Sequence, residues 1–166
     1  MTFGLAALTF VHVFISFVGL FSGFIVAFGL LKARRLDRWT ALFLASTVAT
    51  SLTGFLFPFR QFLPSHAVGI LSLIVLAVAI YARYARRLAG AWRWTYAVTA
   101  VFALFLNTFV LVAQLFQKVP ALKATAPTQA EPPFVLTQLV VLLAFVALAA
   151  LAAIRFRDSR GPLRTA

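Results

Sequence analysis

The stretch LAALTFVHVFISFVGLFSGFIVAFGLL at 5–31, followed at once by KARRLDR at 32–38, decides the fold. Helical residues rise about 1.5 Å each, so this uncharged run is longer than the roughly 30 Å of hydrocarbon in a bilayer. Four further runs of the same kind lie at 40–58, 65–83, 94–116 and 134–154, and every Asp, Glu, Lys and Arg of the chain lies between the runs or at their edges. The composition agrees, with 63% hydrophobic and 11% charged residues among 166 and a mean hydropathy of +1.02. Soluble domains carry about a quarter charged residues. The expected architecture is therefore all-α, one integral membrane bundle of five transmembrane helices covering 1–166.

Fifteen Lys and Arg against three acids leave a net charge of +12. In a soluble protein that excess would point to nucleic acid, so the position of the charges decides its meaning. Lys32, Arg34, Arg35 and Arg38 follow the first run, Arg83, Arg86, Arg87 and Arg93 the third, and Arg155, Arg157, Arg160 and Arg164 the fifth. Only Arg60, Lys118 and Lys123 belong to the other side. Cytoplasmic loops carry the excess of Lys and Arg, so the N-terminus is expected outside and the C-terminus inside. The basic charge then reads as a topogenic signal that also attracts anionic lipid headgroups at the cytoplasmic face, and nucleic acid is not an expected partner. Trp39, Trp92 and Trp94 fall at the same inner interface, where amphipathic rings collect. Arg83 stands at the end of the third run and is expected to snorkel from it.

Local signals place the helix starts. Asp37 is expected to cap the second span, Ser65 after Pro64 the third, and Pro132 and Pro133 fit the first turn of the fifth. The N-terminus lacks a charged n-region and should remain as the first span. The outer segment 117–133, with Pro120, Pro127, Pro132 and Pro133, reads as an extended cover or a tether. A repeat of about 55 residues is visible, in which His12 and His66 each open a span and Arg38-Trp39-Thr40 and Arg93-Trp94-Thr95 each start the next. Two readings stand: a parallel two-helix repeat with a fifth helix added, or the common way of starting an inward-to-outward helix.

Chemistry is narrowed first by what is missing. The chain has no cysteine and so no disulfide or thiolate chemistry. No nucleotide loop, zinc-protease motif or nucleophile elbow occurs, and the span interiors lack the ionisable residues of pumps and voltage sensors. The two histidines remain, both near the outer end. His12 begins a small-residue stripe with Ser16, Gly19, Gly23 and Ala27, the kind that faces a neighbouring helix. Thr53, Asn107, Gln114 and Gln138 fall in the same outer half. As packing contacts these residues would contribute about 0.6 to 2 kcal/mol each. As a pocket they would line an outward-facing ligand site with His12 and His66 as its functional groups. Two neutral imidazoles on different helices are also the donor set for one b-type haem, although bis-His membrane cytochromes usually hold two haems with four histidines. A zinc or copper ion would need a third ligand, and only Glu131 or a glutamine is at hand.

The segments QKVPAL at 117–122, APTQAEPPF at 126–134 and AGAWRW at 89–94 resemble a family of small bacterial integral membrane proteins. The resemblance covers most of the chain and implies a multi-span protein of the bacterial inner membrane, without an activity or functional residues. Together these readings lead to a small non-enzymatic accessory or assembly subunit that works by helix packing, against itself or a membrane partner. The alternative is a haem- or small-ligand-binding redox protein built on His12 and His66.

Overall fold

The structure, a computed structural model, describes residues 3–58 and 64–157. Helix α1 covers Phe3–Leu31, α2 Asp37–Gly54, α3 Pro64–Ile80 with a π-helical continuation at Tyr81–Ala85, α4 Trp92–Lys118, α5 Pro120–Thr125 and α6 Pro132–Arg157. Every regular element among the described residues is helical. Four are long and apolar enough to cross a membrane: Phe3–Leu31, Ser65–Ala85, Trp92–Lys118 and Pro132–Phe156. The 18-residue α2 is less apolar, because it starts with Asp37 and Arg38 and carries six Ser and Thr. Arg60, Arg160, Arg164 and the C-terminal tail lie outside the described residues.

Contacts between helix ends show that chain direction alternates through the bundle. His12 near the start of α1 meets Thr53 near the end of α2, and Phe55 just after α2 meets His66 at the start of α3. At the opposite end Asp37 meets Arg83, Thr40 meets Tyr96, and Tyr96 meets Phe156 of α6. The described basic residues other than Lys118 and Lys123 thereby collect at one end of the bundle.

Close approach of α1 to α2 and α4 organises the interior. A methyl added at Gly23 would stand 2.6 Å from Leu104 and 2.8 Å from Phe43, so only a hydrogen leaves room for those side chains. At Gly19 it would stand 3.1 to 3.3 Å from Thr47 Oγ1, Asn107 Nδ2 and Ser46 Oγ. Helix α4 answers with small buried residues of its own, Ala97, Ala100 and Ala103. Helix α6 is peripheral and turns in a single seam of Gln138, Phe145, Ala152 and Phe156, spaced by sevens and a four.

Hydroxyl groups inside the helices mostly bond to their own backbone. Ser22 donates to Val18 O at 2.6 Å, Ser46 to Leu42 O at 2.6 Å, Thr99 to Thr95 O at 2.7 Å and Thr108 to Leu104 O at 2.9 Å. A hydroxyl satisfied in this way needs neither water nor a neighbouring helix. Hydroxyl contacts between helices are fewer, and Ser51 to Ser72 at 3.1 Å joins α2 to α3.

Two local expectations are corrected. Asp37 is no cap: α2 has Leu36 at its N-cap with no side-chain cap bond, and the Asp37 carboxylate turns to arginines instead. The outer segment is neither extended nor loose, because α5 forms within it. Gln129, at φ +62°, donates to Ala113 O at 2.7 Å and accepts from Gln117 at 3.2 Å, so its left-handed backbone is pinned to the end of α4. Desolvation raises the Glu131 pKa, but hydrogen bonds from Thr128 Oγ1 and from the Thr128 and Ala130 N–H groups together outweigh it and hold the carboxyl below its usual range. That tether is intact at neutral pH and is lost only as pH falls below the ordinary carboxylate range. The small-residue stripe of α1 does face neighbouring helices, with Gly19 and Gly23 against α2 and α4 of the same chain.

Replacing Gly23 by Ala should lower the stability of the detergent-solubilised bundle by about 1 to 3 kcal/mol, the ordinary effect of overpacking. Gly4→Ala, with nothing within 4 Å of the added methyl, should leave it unchanged. Thermal melting followed by circular dichroism distinguishes the two, and equal melting of both variants would contradict the close approach at Gly23.

Candidate functional site

At the end of the bundle away from the basic cluster, the third turn of α1 brings His12 to the last turn of α2. His12 Nδ1 lies 2.8 Å from Thr53 Oγ1. The Thr53 hydroxyl has its own acceptors in Ala49 O at 2.8 Å and Thr50 O at 3.1 Å, so the imidazole is assigned as the donor, with its proton on Nδ1. Its Nε2 then carries a free lone pair, with Phe57 edge-on to the ring at 5.2 Å. Gly54 allows this approach, since a methyl there would already touch His12 Cε1 at 3.7 Å.

His66 is buried at the start of α3 and lies beside Phe55, ring centroids 5.8 Å apart. Phe55 is in turn seated over Gly69, where an added methyl would come within 3.1 Å of the ring. The two histidines thus share one end of the bundle but lean on different residues after the α2 midpoint: Thr53 and Phe57 for His12, Phe55 for His66. Of the other residues expected here, only Thr53 joins a histidine. Asn107 belongs to the bundle middle with Ser46 and Thr47 around Gly19, its Nδ2 and Thr47 Oγ1 both buried without a hydrogen-bond partner. Gln138 donates to Phe109 O at 3.1 Å, pinning α6 to α4, and Gln114 is exposed. Among the described residues no three His, Cys, Asp or Glu side chains are placed to hold a metal ion together.

The opposite end holds the more unusual chemistry, which sequence reasoning missed. Arg83 does not snorkel. Its side chain is 3% exposed and forms an ion pair with Asp37, which also lies 3.7 Å from Arg35 Nε. The guanidinium carbon stands 5.4 Å above the ring of the fully buried Tyr96 and 5.9 Å from that of Tyr84. Tyr96 and Thr40 hydroxyls meet at 3.2 Å. The signal was present in the register, because Arg83 continues the buried row Ser72, Leu76 and Ala79 at steps of four, three and four. Asp37 is the sole acid on that side of the chain before residue 158, and so the available counter-charge.

The backbone around this pair is itself irregular. The last turn of α3 widens to a π-helix, closed by Arg86 N to Tyr81 O at 3.0 Å, and Arg87 and Leu88 follow at φ +49° and +59°. Two non-glycine residues in the left-handed region cost on the order of 1 to 3 kcal/mol each unless the surroundings hold them. Here the hold is visible: Leu88 is buried, its N–H donates to Ala82 O at 3.1 Å, and Arg93 Nε donates to its carbonyl at 3.2 Å. π-bulges of this kind gather at functional sites. Compared with known protein families, curated proteins and solved structures, the chain matches none.

The buried guanidinium makes a test of its environment simple. Asp37→Asn leaves Arg83 beside no anion and should destabilise the bundle by about 2 kcal/mol, less than for a fully buried pair because the Asp37 side chain is 51% exposed. Adding Arg83→Met removes the stranded charge and should recover most of the loss. Denaturant or thermal unfolding of the three proteins checks this, and strictly additive losses would show that the two side chains do not act as a pair.

Proposed function

We propose that the chain is a five-span protein of the bacterial inner membrane, N-terminus periplasmic and C-terminus cytoplasmic, that serves as a non-enzymatic accessory or assembly subunit and acts by lateral helix packing. The fifth span is α2. It runs between the same two ends of the bundle as its neighbours, from Arg83 and Tyr96 to His12 and Phe55, and its 18 residues rise about 27 Å. Its hydroxyls other than that of Thr47 bond to their own helix or to α1, α3 and α4, which makes a polar sequence compatible with hydrocarbon. The basic end is then cytoplasmic by charge, and the bacterial setting rests on the resemblance of the loop segments.

One observation carries the packing role. Phe10, Phe14, Phe17, Phe21 and Phe28 form an exposed row at steps of four, three, four and seven along α1. Lipid asks only that such a face be apolar, and the exposed residues of α6 are mainly Leu and Val. An aligned aromatic row is instead the stiff, large-area surface that a facing helix can grip. The Phe row, and not the small-residue stripe, is the partner face in this reading.

The second reading is supported by the open Nε2 of His12, whose tautomer is fixed from behind by Thr53 in the way metal-ligating imidazoles are held. Haem between His12 and His66 would give the purified protein a visible spectrum that His12→Ala abolishes.

Because the chain has no cysteine, single Cys variants report on contacts directly. Phe10→Cys and Phe28→Cys should give cross-linked species in native membranes with a short bis-maleimide, while Val140→Cys on α6 should stay monomeric. Equal labelling without cross-linking at all three positions would refute the packing role. A C-terminal alkaline phosphatase fusion should be inactive and a C-terminal fluorescent fusion bright; the reverse would remove one span.

A further inference from the structure

The cytoplasmic end presents a cleft that the packing role does not use. Arg34, Arg35, Thr40, Arg83 and Tyr96 line it, over an apolar floor that includes Phe156. α1, α2, α4, α6 and the π-helical turn all contribute to it, so it exists only in the assembled bundle. Three arginines, Arg34, Arg35 and Arg83, line it against one carboxylate, Asp37, among the described residues. Arg83 Nε and Arg35 Nε are both buried and have no acceptor. Of the two hydroxyl protons on Thr40 and Tyr96, their mutual hydrogen bond uses one and leaves the other to donate. The N-terminus of α2, without a side-chain cap, opens at the same place and adds its partial positive charge.

We propose that this cleft binds a phosphate group. Its oxygens accept hydrogen bonds from Arg35 Nε, from Arg83 Nε and from the free hydroxyl proton of the Thr40 and Tyr96 pair, and Arg34 closes over it. Guanidinium forks suit tetrahedral oxyanions better than single ammonium charges do. Asp37 keeps to the Nη2 side of Arg83 and stops that guanidinium from turning away. As the side chains stand they close over the site and leave no room for a water molecule. Entry is therefore from the Arg34 side, where the guanidinium is exposed and can swing outward. At a cytoplasmic membrane surface the phosphate has two sources, the headgroup of an anionic phospholipid or a soluble phosphate.

The test uses the whole chain in a maltoside detergent, with melting temperature and tryptophan fluorescence read against inorganic phosphate, phosphatidylglycerol and phosphatidylcholine. Saturable stabilisation by phosphatidylglycerol but not by phosphate assigns the site to a headgroup, and saturable stabilisation by phosphate assigns it to a soluble anion; either supports the proposal. The Arg34→Gln/Arg35→Gln variant should bind at least about tenfold more weakly. Arg86→Gln, which removes an equal type of charge from the same end but from a guanidinium lying 5.4 Å over Trp92, should change binding less than about twofold. Arg34 and Arg35 are partly exposed, so their variant is expected to fold, and its unliganded melting temperature should match the parent. An equal loss in Arg86→Gln would reduce the effect to diffuse attraction and overturn the proposal, as would the lack of a saturable response to every probe.

Discussion

The approach of α1 to α2 and α4 through Gly23 is the contact on which the rest of the bundle depends. Water does not drive helices together inside a bilayer, so association rests on van der Waals contact and on the few polar groups that must find each other. Leu104 and Phe43 occupy the space a side chain at Gly23 would need. That seat sets the distance between three helices. The depth at which His12 meets Thr53, and at which Thr40 meets Tyr96, follows from it.

The two ends of this frame are built differently. At the end away from the basic cluster the charged groups among the described residues are Lys118, Lys123 and Glu131, and the longest loop is held by its own hydrogen bonds through Gln129 and Glu131. At the basic end the chain places a guanidinium among aromatic rings, supplies one carboxylate for it, and distorts the backbone into a π-turn and two left-handed residues. The π-turn belongs to the end where the basic residues gather, while the left-handed Gln129 lies at the other. Arg35 Nε and Arg83 Nε are buried donors without a partner at the basic end, Thr47 Oγ1 and Asn107 Nδ2 lack one in the bundle middle, and most other helix hydroxyls bond to their own backbone.

Exposed surface is equally uneven. Helix α6 shows its neighbours a single seam and otherwise an aliphatic face, which lipid covers without specificity. Helix α1 shows the bundle a row of Gly, Ser and Ala and shows the outside a row of phenylalanine. One helix thereby carries both the tightest internal packing and an exposed aromatic face, which ties any partner on that face to the position of the frame.

Length and charge pattern by themselves determined the helices, because spanning hydrocarbon requires long uncharged runs with every backbone group bonded within the helix, and both requirements are written residue by residue. The segregation of basic residues to one end was legible for the same reason. Partnerships were not. Asp37 read as a cap because local sequence shows only its neighbours, while its carboxylate is taken by Arg83, 46 residues away. Arg83 read as a snorkelling end residue because its charge was weighed without its register on the buried row. The stripe through Gly19 and Gly23 showed that some helix must come close, yet the choice of α2 and α4 over a second protein depends on how all the helices pack at once. Pairing across a bundle is a property of three-dimensional proximity, and that only the tertiary structure decided.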